Sequence, residues 1–230
     1  MGERLERMET GAEGPVVPID QREILRYLGY GREQPDEQIL ALVESTIAEV
    51  KRTARPRHIT GECKLELMPD GEIAIGSIHV VSRSLSRNLR DCERAVLLAA
   101  TLGTEIDYLL YRYGRFEMSR AVVLQAASAA MIETYCDMVC EELAERYEAK
   151  GLYLRPRFSP GYGDLSLSCQ PDLLQELEAG KRIGIKLTES LLMTPSKSVS
   201  AVVGVSKKPH RCEVKGCEAC GKTDCLYRRI

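Results

Sequence analysis

Four of the nine cysteines crowd into the last 19 residues of the chain. They read Cys212-x4-Cys217-x2-Cys220-x4-Cys225, so four sulfurs fall within fourteen positions. Four thiolates suit Zn2+ or an iron–sulfur cluster, and the short Cys-x2-Cys bite fits either. Gly216 and Gly221 let the chain turn around a metal. His210 could replace Cys212 as the fourth ligand. In a reducing compartment such clustering points to metal before disulfides. From Lys207 to Ile230, seven basic residues stand against three acidic ones, a net of +4. That charge suits docking to an acidic partner, and a small nucleic-acid contact is the rival reading.

A second candidate is the loop Arg157–Asp164, Arg-Phe-Ser-Pro-Gly-Tyr-Gly-Asp. Its two glycines and proline force a turn and expose backbone. Arg157 offers a planar fork suited to a carboxylate or phosphate. Tyr162 offers a ring face for a base or a cation. The alternative is a plain connection with Arg157 in a surface salt bridge. Upstream, Glu133 and Asp137 are four apart and share one face of a long helical pattern. Cys136 and Cys140 have the same spacing. They travel with Ile132, Val139 and Leu143, so they read as small core residues rather than ligands. His58 and His79 read as ordinary strand residues. Cys92 and Cys169 have no neighbour of ligand type in the sequence.

Arg157-Phe-Ser-Pro-Gly161-Tyr162, then Leu174–Glu178, then Ile185-Lys-Leu-Thr-Glu-Ser-Leu-Leu-Met-Thr-Pro-Ser-Lys-Ser-Val-Ser200 follow in order. This series resembles the S-adenosylmethionine-binding activation domain of cobalamin-dependent methionine synthase, in its free-standing form. The resemblance implies that the chain binds S-adenosylmethionine. It further implies reactivation of cob(II)alamin, which takes one electron and the ligand's methyl group. The Arg of the family's R-x-x-x-G-Y motif contacts the ligand, which points to Arg157. The loop backbone and Tyr line the same site, which points to Ser159, Gly161 and Tyr162. A ligand-facing acid on a comparable helix points to Glu133. In the large enzymes ligand-contacting aromatics follow the Ser-Val-Ser stretch, whereas here the chain reads Ala201-Val202-Val203-Gly204.

The implied partners are a cobalamin-binding methionine synthase or another corrinoid protein, and an electron donor such as flavodoxin or ferredoxin. An iron–sulfur cluster on the terminal cysteines would be a possible relay, and structural zinc is the other reading. Catalysis would be by positioning, with no general acid or base required. The alternatives are a stand-alone methyltransferase for a different corrinoid protein, and a non-enzymatic metal-tail adaptor binding protein or nucleic acid.

These residues need a scaffold, and the sequence suggests one. The chain has 230 residues, 44% of them hydrophobic, with no Trp and two Phe, so Leu, Ile, Val and Ala must build its core. The formal net charge of −2 excludes a generally basic nucleic-acid binder. No apolar run approaches the roughly 18 residues of a membrane span. Met1–Glu13 is charged, mixed in sign and without an apolar core, so a cytoplasmic protein is expected. Asp20 and Asp36 are N-cap residues for helices Gln21–Leu28 and the stretch carrying Ile39, Val43, Ile47 and Val50. Cys63–Met68, the Asp70-Gly71 turn and Glu72–Ile75 form a hairpin. Ala95–Thr101 reads as a buried strand, Thr104–Arg112 and Met118–Tyr147 as helices. Pro171–Ala179 reads as a further helix, Ile183–Leu187 and Ser198–Ser206 as strands. The expected organisation is a flexible arm (1–18), an α+β domain (19–206) and a Cys-rich metal-binding tail (207–230). The domain is expected to hold a curved, mainly antiparallel sheet with packed helices.

Overall fold

The computed structural model describes residues 7–9, 15–30 and 35–209. Its centre is the apolar run Ala95–Ala100, which lies in strand β5, Cys92–Thr101. A strand so apolar on both faces must be covered on both. In chain order the preceding elements are β1 (Arg7–Glu9), α1 (Gln21–Tyr27), α2 (Glu37–Thr53), β2 (Arg57–Leu67), β3 (Glu72–Ile75), β4 (Ile78–Val81) and α3 (Arg83–Asn88). After β5 come α4 (Thr104–Phe116), α5 (Met118–Glu148), β6 (Tyr153–Leu154), α6 (Gln170–Glu176), α7 (Ala179–Arg182), β7 (Lys186–Leu187), β8 (Met193–Thr194) and β9 (Ser198–Ser206).

The main sheet runs β4-β3-β2-β5-β9-β6, with β1 also paired to β2, and every pairing is antiparallel. The sheet does not close into a barrel. Side chains alternate across it, so β5 feeds two cores. Val96, Leu98 and Ala100 face α1, α2, α4 and α5. Leu97 and Ala99 face α3, α6 and the segment between β6 and α6. Helix α5, 31 residues long, buries Ala126, Ala127, Ala130, Tyr135 and Cys136. Small side chains there let the helix lie close to the strands.

The expected caps are present. Asp20 accepts from the Arg22 amide and Asp36 from the Ile39 amide, each at 2.8 Å. The architecture is the expected α+β class, and the structure differs from the sequence reading in several places. The expected helix Pro171–Ala179 is broken, α6 ending at Glu176 and α7 starting at Ala179, because Glu178 takes the left-handed conformation with φ +52°. Strand β2 starts at Arg57, ahead of the expected Cys63, because β5 pairs with it from Arg57↔Thr101 onward. Helix α4 runs through Gly114 to Phe116, since its packing on α5 outweighs one weak helix former. The expected strand Ile183–Leu187 shrinks to Lys186–Leu187, because Ile183 ends α7 and Gly184 turns with φ +78°. Within the stretch read as an arm, Arg7–Glu9 pairs with β2 and Val17 is buried. The tail's metal-ligand candidates, Cys212, Cys217, Cys220 and Cys225, lie outside the described residues. No helix among the described residues is long and apolar enough to cross a membrane.

Leu98 is fully buried between sheet and helices. Leu98→Ala should lower unfolding free energy by about 2–5 kcal/mol, read as a lower urea midpoint at unchanged slope. A cost under about 1 kcal/mol would contradict this packing.

Candidate ligand site

The site begins where β6 stops pairing. Tyr153 and Leu154 lie opposite Ser206 and Val205, and the Arg155 amide donates to Gly204 O at 2.8 Å. The chain then rejoins β9 at one point. Phe158 and Val202 exchange both backbone hydrogen bonds, at 2.9 and 2.8 Å. Phe158 joins the core on the α3 and α6 face. Extended backbone sends the preceding side chain to the other face, where α5 lies.

Arg157 therefore meets α5. Its Nη2 is 2.9 Å from Asp137 Oδ1 and 3.3 Å from Glu133 Oε2. The i,i+4 spacing of these acids makes such a two-point grip possible. Arg157 Nη1 is buried and has no hydrogen-bond partner. One arm of the fork is held and the other is open. The carboxylate side chains are 47% and 66% exposed, so the pairs add little stability and act mainly to orient the guanidinium. Burial works against the charge of Arg157, but the acidic groups around it, Asp137 and Glu133 among them, outweigh it and raise its pKa overall. Burial pushes the Cys136 thiol up to about 12, so it is a neutral thiol at pH 7. Cys136 is fully buried, as its apolar neighbours suggested, and Cys140 is half-buried.

Beyond Phe158 the loop folds on itself. The Gly161 amide donates to Leu165 O at 2.8 Å, and the Tyr162 amide donates to Ser159 O at 3.0 Å. Gly161 takes φ +90°, which favours glycine. Tyr162 is 57% exposed and rests edge-on against Phe158, with centroids 6.1 Å apart. The sequence-derived candidates thus fall into two groups. Arg157 and Glu133 touch, whereas Ser159, Gly161 and Tyr162 form the turn that follows the β9 bridge.

Two residues at the end of this loop, Asp164 and Gly163, fix the turn through partners that the sequence does not reveal. The Asp164 carboxylate accepts from Ser82 Oγ at 2.5 Å and from the amides of Arg83 at 2.8 Å and Ser84 at 3.0 Å. The Ser82 hydroxyl first, then these amides, holds the Asp164 carboxyl well below the usual carboxylate range. Gly163 must stay small: a Cβ there would lie 2.8 Å from Ser84 Oγ and 2.9 Å from Ser84 Cβ. The partners are about 80 residues away, so no local pattern reveals the clamp.

The downstream motif residues serve largely as struts. Buried Gln170 accepts from Ser200 Oγ at 3.3 Å and donates to Leu191 O at 2.7 Å. Ser198 Oγ donates to Pro195 O at 2.7 Å, and the Ser196 amide donates to Asp107 Oδ2 at 2.8 Å. Lys197, 8% exposed, makes no ion pair with a described residue; burial lowers its pKa against the pull of Asp107. His58 and His79 lie on β2 and β4, and His58 Nδ1 is 2.9 Å from Tyr135 Oη. Among the described residues no group of three or more His, Cys, Asp or Glu side chains is placed to hold a metal.

The clamp gives two expectations. Gly163→Val should release the turn, so that amides of 159–165 exchange at least about tenfold faster while those of β5 keep their protection. Unchanged exchange would contradict the clamp. Folding lowers the Asp164 pKa, so its contribution is complete above the ordinary aspartate value of about 3.9 and is lost only as pH falls well below it. A carboxyl NMR titration should find Asp164 still ionised near pH 3, and a midpoint near 4 would contradict its three hydrogen bonds.

No curated protein matches this chain. Among solved structures it is similar to the crystal structure of the MetH reactivation domain bound to AdoHcy. That match has a TM-score of 0.64 and 17% identity, covering 91% of this chain and 81% of the other. It establishes a shared fold. The sequence profile described as vitamin B12 dependent methionine synthase, activation domain, matches residues 98–224, more than half of the chain. The profile spans the end of β5, α4, α5, the Arg157 loop and β9, and the chain belongs to this family of activation domains.

Proposed function

We propose that this chain binds S-adenosylmethionine between the Arg157 loop and α5, and presents its methyl group to a corrinoid protein for reductive reactivation. The observation that carries the reading is the half-held Arg157 guanidinium. Glu133 and Asp137 fix Nη2, and Nη1 is left buried and unpaired. A buried donor without a partner is costly, and a ligand carboxylate would satisfy it with a charge-assisted hydrogen bond. The family relationship supports the same ligand, as does the AdoHcy bound to the structural neighbour.

The residues then divide the work. Arg157 would bind the methionine carboxylate. Glu133, half exposed beside it, would face the ligand's ammonium or sulfonium charge. Tyr162 would offer its exposed ring to the cationic sulfur, an attraction of about 0.5–2 kcal/mol. Ser159 and Gly161 would contribute backbone; since the Gly161 amide is already donated to Leu165 O, its part is an approach free of side chain. When bound, the ligand supplies an electrophilic methyl for reduced cobalt on the partner, which needs one electron to leave the cob(II)alamin state. This chain aligns the methyl and excludes water. The partner would be a cobalamin-dependent methionine synthase or a related corrinoid protein, acting with flavodoxin, ferredoxin or a similar donor in the cytoplasm. Cys212, Cys217, Cys220 and Cys225 would hold an iron–sulfur cluster or zinc.

Arg157→Ala should weaken S-adenosylmethionine binding by about 2–4 kcal/mol in calorimetric titration, with the melting temperature little changed. Equal affinity in the variant would remove Arg157 from the site. For the tail, broad absorbance near 400 nm in anaerobically purified protein would mean a cluster, and colourless protein with one zinc per chain would mean zinc. Protein carrying neither metal would overturn the tail assignment.

A further inference from the structure

On the opposite face from α5, Arg83, Arg87 and Arg90 follow one another at helical spacing of four and three. They line a cleft of about 440 Å3 between α3 and the β2–β3 turn, with Asp70, Gly71 and Asp91 on its walls. All three arginines are exposed, and none makes an ion pair with a described residue. Arg26, Arg94, Arg112, Arg120, Arg146, Arg157 and Arg182 each meet a carboxylate. Other arginines without an ion pair to a described residue, such as Arg22, Arg57 and Arg115, stand singly; the cleft is set apart by holding three such arginines together. Of the two acids in the cleft, Asp91 is engaged by Lys208 Nζ at 3.1 Å. Three arginines and Lys208 against Asp70 and Asp91 leave the cleft net positive by two. Like charges four apart on a helix repel one another, and among the described residues only Asp70 and Asp91 in the cleft offset this in part.

The scaffold under these arginines is fixed. The Arg83 amide is tied to Asp164 Oδ2, and the Ser82 amide donates to Gly71 O at 2.9 Å. A Cβ on Gly71 would lie 3.2 Å from Arg83 Cγ, so that wall is bare backbone packed on the arginine stem. A cleft lined by three arginines that lack ion-pair partners among the described residues suits an ion with several oxygens, which guanidinium forks bind through parallel N–H donors. We infer that this cleft is an anion site for a small phosphate-bearing ligand, of pyrophosphate size or carrying such a group. It is separate from the Arg157 site and does not depend on the reading of that site.

The test is calorimetric titration of the full chain with sodium pyrophosphate at physiological ionic strength. Saturable one-to-one binding at or below about 1 mM is expected. Arg87→Ala, on an exposed turn of α3, should weaken it at least about tenfold, and Arg87→Lys should restore only part. Arg157→Ala should leave pyrophosphate binding unchanged, which separates this site from the proposed S-adenosylmethionine site. Absence of saturation, or equal affinity in Arg87→Ala, would overturn the proposal. So would binding of an oligoglutamate peptide but not pyrophosphate, which would make the face a docking surface for an acidic protein.

Discussion

The single backbone bridge between Phe158 and Val202 decides what the candidate site can be. Its two hydrogen bonds lock an otherwise irregular segment to the sheet at one residue. Because extended backbone alternates, seating Phe158 in one core obliges Arg157 to face the other side. A shift of one residue would bury the arginine among Leu97, Ala99 and Val202 and put the phenyl ring against two carboxylates. The core on the α6 side therefore sets the chemistry on the α5 side. The clamp at Asp164 closes the other end of the segment, so the turn carrying Tyr162 is held at both ends.

Long-range placement follows from β5. An antiparallel strand buried on both faces brings β2 and β9 to its two sides, and the motif Ser198–Ser200 becomes the start of β9. Its hydroxyls close hydrogen bonds to Pro195 and Gln170 in places where an unpaired polar atom would be costly. Part of what looks like a ligand signature in the sequence thus anchors the start of β9, the strand to which the Arg157 segment is bridged at Val202. The open donor on Arg157 is the exception, and it is the feature that a positioning function needs.

Elements with strong local signals were legible in the sequence. Asp20 and Asp36 announced two helices, the apolar run Ala95–Ala100 announced the central strand, and the stripe through Val139 and Leu143 announced α5. Arg157, Glu133 and Asp137 were each visible, but only the fold shows that they meet. Features set by distant partners were not legible. The first half of β2 takes its conformation from β5, Gly163 is small because of Ser84, and the Asp164 carboxyl titrates below its usual range first because of Ser82. The shortening of Ile183–Leu187 has a local cause in Gly184, yet a glycine alone does not say whether a chain bends or extends.

The central claim is that the open arm of Arg157 receives a ligand carboxylate. Its most direct test is a crystal structure of this chain with S-adenosylhomocysteine. The ligand should lie between the Arg157–Tyr162 loop and α5, with its carboxylate about 3 Å from Arg157 Nη1 and Glu133 still beside Nη2. A ligand bound elsewhere, or bound there with Nη1 still unpaired, would contradict it.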